Sequence, residues 1–167
     1  MKLFLELADI LRKEKELYDK LARLEDNKTK AIMKRNGKNL DEITRQEELL
    51  LKELSFLEEK RIELSKLSAQ SSGLVIRNSE ITISALARHI KGEVAGLIMA
   101  AGIALKRAAL KVQKTKELNE KLMKDNLDFF QIVFTGLKSA SSINTGYTQD
   151  GKENVMSMGS LLFNKTA

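Results

Sequence analysis

Apolar residues recur along this chain at steps of three, four and seven, the period of a helix that buries one face. Leu3, Leu7, Ile10, Leu17, Leu21, Leu24 and Ala31 share such a face, which predicts a helix over about residues 3–36. Gly37 is the expected C′ residue, because glycine takes the left-handed conformation without a Cβ clash. Asn39 and Glu42 have the spacing of a capping box, so a second helix is expected from about 39 to 68. Its face is Ile43, Leu50, Leu54, Leu57 and Leu64, with Arg61 on the same stripe. A connection of two or three residues makes the pair an antiparallel hairpin.

Residues 68–78, with Ser71, Ser72 and Gly73, lose this periodicity and read as a linker. Ser79 is a candidate cap for a third helical region carrying Ile83, Leu86, Ile90, Leu97 and Ala101. Gly92 lies inside it, and a helix-interior glycine costs about 1 kcal/mol against alanine. One continuous helix and a short helix (79–90) followed by a long one (93–140) are both open. From Glu93 onward Ile98, Ala101, Leu105, Ala108, Val112, Thr115, Asn119, Leu122, Asn126, Phe129 and Val133 alternate at steps of three and four, as in a coiled-coil seam. The seam begins among small residues, Gly96, Ala100, Gly102, Ala104 and Ala108, which let helices approach closely. Residues 141–167 are rich in Ser, Thr, Asn and Gly and are expected to form a flexible tail, with an apolar group at Met156, Met158, Leu161, Leu162 and Phe163. The expected fold is therefore all-α. Residues 1–140 form an elongated antiparallel bundle or coiled coil of three long helices, with room for one extra short helix.

Helix lengths add a functional expectation. The second helix should span about 44 Å and the last, counted from Glu93, about 72 Å at 1.5 Å per residue. Running back beside the hairpin, the last helix would outrun it by about 19 residues, or about 28 Å, roughly from Leu122 to Ala140. That segment carries Phe129, Phe130, Ile132, Val133, Phe134 and Leu137. So wide an apolar surface needs cover from a partner protein, a second copy or the chain's own apolar tail. Asn119 and Asn126 sit on the seam seven residues apart. Buried, they would fix register or partner choice; at the wet edge of the seam they would do neither.

Composition narrows the chemistry. Charged residues are 31% and aromatics 5%, with no proline, tryptophan or cysteine, the profile of long helices. Without cysteine there are no disulfides, thiolate metal sites or cysteine nucleophiles, which suits a reducing compartment. No phosphate loop, zinc-spaced His pair or nucleophile elbow occurs, and His89 is the one histidine. Neither a cofactor, a metal site nor catalysis is expected. Carboxylates stand among lysines at i, i+4 spacing, as at Glu58, Glu59 and Arg61, the pattern of solvated helix faces. The net charge of +6 is concentrated at Lys106, Arg107, Lys111, Lys114, Lys116, Lys121 and Lys124, against Glu117 and Glu120. That stripe lacks interleaved aromatics on which bases could stack, so a solvated face is expected rather than a nucleic-acid site. The most hydrophobic stretch, residues 94–105, is too short to span a bilayer, which takes about 20 residues. Met1 to Arg12 lack a cleavage site of signal-peptide type, and a cytoplasmic location is expected.

Three stretches together resemble the FlgN family. The second helix reads Leu40, Ile43-Thr44-Arg45-Gln46-Glu47-Glu48-Leu49-Leu50, Leu54 and Leu57-Glu58-Glu59-Lys60-Arg61, similar to the family's leucine-rich helix with a Gln-Glu pair and a later Glu-x-x-Arg. The last helix carries Asn119 and Asn126 before an apolar run, similar to the family's asparagine-punctuated helix, though a tighter asparagine cluster is more typical. Tyr147-Thr148-Gln149-Asp150-Gly151 is similar to its Tyr-x-x-x-Gly motif, while the apolar tail beyond Gly151 has no counterpart. The resemblance implies a cytoplasmic flagellar export chaperone. It would hold the helical C-terminal region of hook–filament junction (hook-associated) proteins, keep it unpolymerised and deliver it to the export gate. Client contact would fall to Leu122, Asn126, Phe129, Phe130, Val133 and Leu137, with Asn119 as the polar seam residue. Tyr147 and Gly151 would dock to the gate. A self-associating coiled coil, dimerising through the last helix, is the rival reading, and a basic nucleic-acid binder a more distant one.

Overall fold

The computed structural model describes residues 1–74 and 81–142. Its regular structure is helical throughout, with no strand among the described residues: α1 (Lys2–Met33), α2 (Gly37–Ser71), α3 (Ile83–His89) and α4 (Glu93–Ser142). Two compact units divide the chain, Met1–Leu122 and Met123–Ala167, and α4 contributes to both.

In the first unit α1 and α2 form the expected hairpin. Lys28 meets Glu47 and Glu14 meets Arg61, so the two strands of contact run in opposite directions. The turn between them differs from expectation. Arg35, not Gly37, takes the left-handed position (φ 53°). Its N–H donates to the Ile32 carbonyl and that of Asn36 to the Ala31 carbonyl at 3.0 Å, closing a Schellman motif. Closing early frees Asn36 to cap α2, its side chain accepting from the Asn39 N–H at 3.1 Å. Gly37 is thereby the first residue of α2, and Asn39 is a donor to a cap rather than the cap itself. Glu42 accepts instead from Gln46 at 2.8 Å.

The far end of α2 also moves. The helix continues to Ser71 and ends in a second Schellman motif, with Gly73 at φ 72° and the Leu74 N–H donating to the Ala69 carbonyl. Ser65, Ser68 and Ala69, expected to lie at or beyond the fading pattern, are buried. Ala69 shares a core cluster with Leu86 and Ala87 of α3, which apolar periodicity alone does not register. α2 is thus 35 residues long against 50 for α4, a smaller excess than expected.

Gly92, at φ 90°, separates α3 from α4, so the third region is a short helix and a long one. Thr82 caps α3 by accepting from the Ala85 N–H; Ser79 lies outside the described residues. His89 Nε2 lies 3.0 Å from the Ser72 carbonyl and ties the end of α3 to the end of α2. A Cβ on Gly102 would come within 2.8 Å of Ile83 Cγ2, so a residue without a side chain is what lets α3 lie against α4.

Two clusters form the core. One joins Phe4, Leu7, Ala8 and Leu11 of α1 to Ala69 of α2, Leu86 and Ala87 of α3, and Ile98 and Ala101 of α4. The other joins Leu17, Leu21 and Leu54, with Val112 packed against them. Residues 4–11 thus share a cluster with 98–101, and 17–21 with 112, so α4 runs parallel to α1 and antiparallel to α2. Fully burying Leu7, Leu11, Leu86 and Ile98 contributes about 1.5–3 kcal/mol each. Helix α1 buries a second stripe beside the expected one, Phe4, Ala8, Leu11, Ala22, Glu25 and Ile32.

Three glutamates on these seams are buried. Glu14 receives the Arg61 Nε at 3.0 Å, and Arg61 also meets the exposed Glu58. Arg61 is therefore an inter-helix ion-pair partner rather than part of a solvated face. Burial pushes the Glu14 carboxyl above the ordinary range, against the pull of Arg61. Its second oxygen has no hydrogen bond among the described residues. Glu47 pairs with Lys28 at 2.6 Å.

Glu14 loses its charge partner in Arg61→Met. The substitution is expected to cost about 3 kcal/mol at pH 7, as breaking a buried pair does. A carboxyl whose folded pKa is raised is tolerated best when protonated, so its cost is present at high pH and falls as pH drops through the folded value. The deficit against wild type should shrink between pH 7 and pH 5, as measured by urea denaturation. A deficit that stays constant or grows on acidification would refute the assignment.

Candidate functional site

Along α4 the positions of the expected seam are sheltered as far as Asn126. Ile98, Ala101 and Asn119 are buried, and Leu105, Ala108, Val112, Thr115, Leu122 and Asn126 are half-buried. The basic residues Lys106, Arg107, Lys111, Lys114, Lys116, Lys121 and Lys124 are all exposed.

Asn119 is 1% exposed and does not lie at a wet edge. Its amide donates to the Glu25 carboxylate at 2.7 Å and to the Glu25 carbonyl at 2.9 Å. Its Oδ1 accepts from the Thr29 hydroxyl at 2.7 Å. Glu25 is itself 5% exposed and sits on the second stripe of α1. The amide of one residue thus matches a carbonyl, a carboxylate and a hydroxyl on the facing helix. A shift of α4 by a single residue would strand the Asn119 amide and the Glu25 carboxylate, both buried; the Thr29 hydroxyl keeps the Glu25 carbonyl at 3.0 Å. Apolar periodicity marks neither Glu25 nor Thr29, although Glu25 falls four residues after Leu21.

The second unit begins at Met123, and its α4 residues carry the remaining expected contact positions. Phe129, Phe130, Ile132, Val133, Phe134 and Leu137 are exposed by 42–72%, as is Leu127. The Phe129 and Phe130 rings meet edge-on with centroids 6.1 Å apart, and the Lys138 ammonium lies 5.3 Å from the centre of the Phe134 ring. At about 100° per residue all of these side chains but Ile132 fall into two adjacent stripes. One continues the seam through Leu122, Asn126, Phe129 and Val133. The other, Met123, Leu127, Phe130, Phe134 and Leu137, has its own steps of four and three and is centred about 90° away. The expected contact set mixes the two and omits Met123, Leu127 and Phe134. The second series is present in the sequence, but a single heptad seam counted from Ile98 does not contain it. Together the stripes make an apolar arc of about 160°, wider than the face one helix usually turns to one neighbour. Tyr147 and Gly151 lie outside the described residues.

A family model described as FlgN protein matches residues 1–154. The chain belongs to the FlgN family. FlgN is a family of flagellar export chaperones and is not known for enzymatic activity. Searches of curated proteins and of solved structures found no match. No helix among the described residues of this FlgN-family protein is long and apolar enough to cross a membrane.

Removing the Asn119 amide strands the buried Glu25 carboxylate and takes one acceptor from the half-buried Thr29 hydroxyl. Asn119→Ala is expected to cost about 2 kcal/mol, within the penalty for unsatisfied buried polar groups. In a double-mutant cycle with Thr29→Val the two losses should fall short of additivity. Thermal or urea denaturation measures both, and strictly additive losses would show that the network does not act as one contact.

Proposed function

We propose that this chain is a chaperone for hook–filament junction proteins. A helix from the client's C-terminal region lies along α4 on Leu122, Asn126, Phe129, Phe130, Val133 and Leu137. The observation that carries this reading is the exposed apolar arc of α4, set at the end of a helix whose earlier seam is already sheltered. An amphipathic helix laid into an apolar surface is the recognition mode such an arc suits. Occupying the surface would keep the client's helix from premature assembly with its own kind. Asn119 contributes by holding α4 in register, not by touching the client. Carried over from the family likeness, Tyr147 and Gly151 dock the loaded chaperone to the export gate, and the complex acts in the cytoplasm. The same arc also suits a second copy of the chain, so a homodimer through α4 is the competing occupant.

Copurification from the source cell tests the reading, with identification of what is bound. Phe129→Asp and Val133→Asp each place a charge in the contact, and each is expected to weaken capture of junction proteins at least 30-fold, roughly 2 kcal/mol. Both side chains are exposed, so the helical circular dichroism and the unfolding midpoint should stay near wild type. Undiminished capture by both variants would remove α4 as the client surface. A dimer seen by light scattering that both substitutions dissociate, with no junction protein captured by wild type, would favour self-association.

A further inference from the structure

Within the first unit, one flank of α4 presents cations and aliphatic side chains together. Arg107, Lys111, Lys114 and Lys121 are exposed. Ile103, Leu110 and Leu118 stand among them, exposed by 46%, 53% and 49%. At about 100° per residue all seven fall within an arc of about 100°, centred about 130° from the seam. The neighbouring helices lie elsewhere. Val112 of the seam packs on Leu17, Leu21 and Leu54, and Ile83 of α3 lies against Gly102, itself about 130° from the middle of the arc. Neither contact stands between this flank and a flat surface. The charge on it is also uncompensated. Between Glu93 and Glu117 the helix has no acidic residue. Lys116, on the opposite side of α4, pairs with Glu120 at 4.0 Å, whereas Arg107, Lys111, Lys114 and Lys121 make no ion pair among the described residues. Glu117, just outside the arc, accepts from Gln113 at 3.0 Å.

We propose that this flank of α4 is a docking face for an anionic lipid surface, on which the helix lies flat without crossing it. A single exposed leucine is ordinary. Three along one flank, interleaved with unpaired cations, fit a partner that is both anionic and able to take up aliphatic side chains. Nucleic acid meets only the first condition, since the arc has no aromatic ring on which bases could stack. A partner helix is read through apolar contacts at nearly every turn. Here Ile103, Leu110 and Leu118 recur only at steps of seven and eight, with Lys or Arg between them. The surface of an anionic bilayer meets both conditions. Its headgroup phosphates face the cations, and its acyl boundary lies a few Å beneath for the aliphatic side chains. Lysine and arginine stems lie along apolar neighbours while their charged ends stay at headgroup level. From Ile103 to Lys121 the face is about 27 Å long. Three partly inserted side chains bury less than one myristoyl chain, which alone binds marginally and reversibly, so attachment depends on the charges and is reversible. None of these residues belongs to the proposed client contact, and the proposal does not rest on that reading.

Full-length protein is mixed at low ionic strength with vesicles of phosphatidylglycerol and phosphatidylcholine in equal parts, and separately with phosphatidylcholine vesicles. Cosedimentation is expected with the first and not with the second, and it should fade as added salt screens the charges. Lys111→Gln combined with Lys114→Gln should weaken it at least about tenfold, as losing two cations from an anionic surface does. Lys116→Gln, on the opposite side of the helix, should leave it nearly unchanged. The chain has no tryptophan, so Leu110→Trp reports insertion, and its emission should shift to the blue on the mixed vesicles alone. All of these side chains are exposed, and the helical circular dichroism of each variant should match wild type. No cosedimentation with the mixed vesicles would overturn the proposal. So would binding that the double lysine substitution leaves unchanged, or a Leu110→Trp emission that stays put on bound vesicles. Binding to polyuridylate without binding to vesicles would assign the cations to nucleic acid instead. Because no client enters the measurement, these outcomes stand apart from loss of client capture by Phe129→Asp.

Discussion

Helix α1 has to satisfy two neighbours at once, and the first unit is organised around that constraint. A helix facing one partner buries a single stripe; α1 buries two, on adjacent sides. Leu7, Leu17 and Leu21 belong to the stripe expected from periodicity, while Phe4, Ala8, Leu11, Ala22 and Glu25 form the other. Once α1 is committed on both sides, α2 must run antiparallel to it through a three-residue turn. α4 must run parallel to it, and α3 is left to cover the end where Ala69, Leu86 and Ile98 meet. The small residues of α4 serve the same end, since Gly102 lets Ile83 lie almost on its backbone.

Apolar stripes alone would tolerate slippage, because one leucine layer resembles the next. The buried polar groups remove that freedom. Glu14 with Arg61 and Glu47 with Lys28 set the register of α2 on α1; Asn119 with Glu25 and Thr29 sets that of α4 on α1. Desolvating a carboxylate is costly, and the raised pKa of Glu14 shows that its arginine does not fully offset burial. Such contacts are poor sources of stability and good sources of uniqueness, because a mis-registered bundle would strand several of them together.

Much of this was legible in the sequence where one physical signal dominates. The helical period of the leucines gave the helices, and the three-four series from Ile98 to Asn126 marked the sheltered side of α4. What stayed hidden depended on competition between local and tertiary terms. Gly37 is the better left-handed residue in isolation, yet Arg35 takes that conformation, because ending α1 there lets Asn36 cap α2. Ser65, Ser68 and Ala69 read as a fading helix because small residues carry little hydrophobic signal, though they are sheltered by close packing. Glu14, Glu25 and Glu47 looked like ordinary surface carboxylates, since their seam positions mean burial only when an arginine, an asparagine or a lysine waits on the facing helix. At the candidate site the heptad seam was visible and its neighbour was not. A heptad template assigns each residue to the seam or away from it, and Met123, Leu127 and Phe134 fall away from it.

The end of α4 repeats the two-stripe pattern of α1 with fewer polar members. Beyond Asn119 the seam carries one amide, Asn126, and the adjacent stripe is composed of Met123, Leu127, Phe130, Phe134 and Leu137. A surface of this kind discriminates weakly between one amphipathic helix and another, since apolar contacts add affinity without demanding a particular alignment. Long unbranched and aromatic side chains such as Met123 and Phe134 can re-pack against partners of differing shape. That suits a chaperone, which must hold a client firmly enough to protect it and loosely enough to release it. The stretch of α4 that ends at Asn119 is specified by matched donors and acceptors and holds the protein's own fold; in the proposed function the stretch beyond it would meet its client through apolar area, leaving the choice of register to that client.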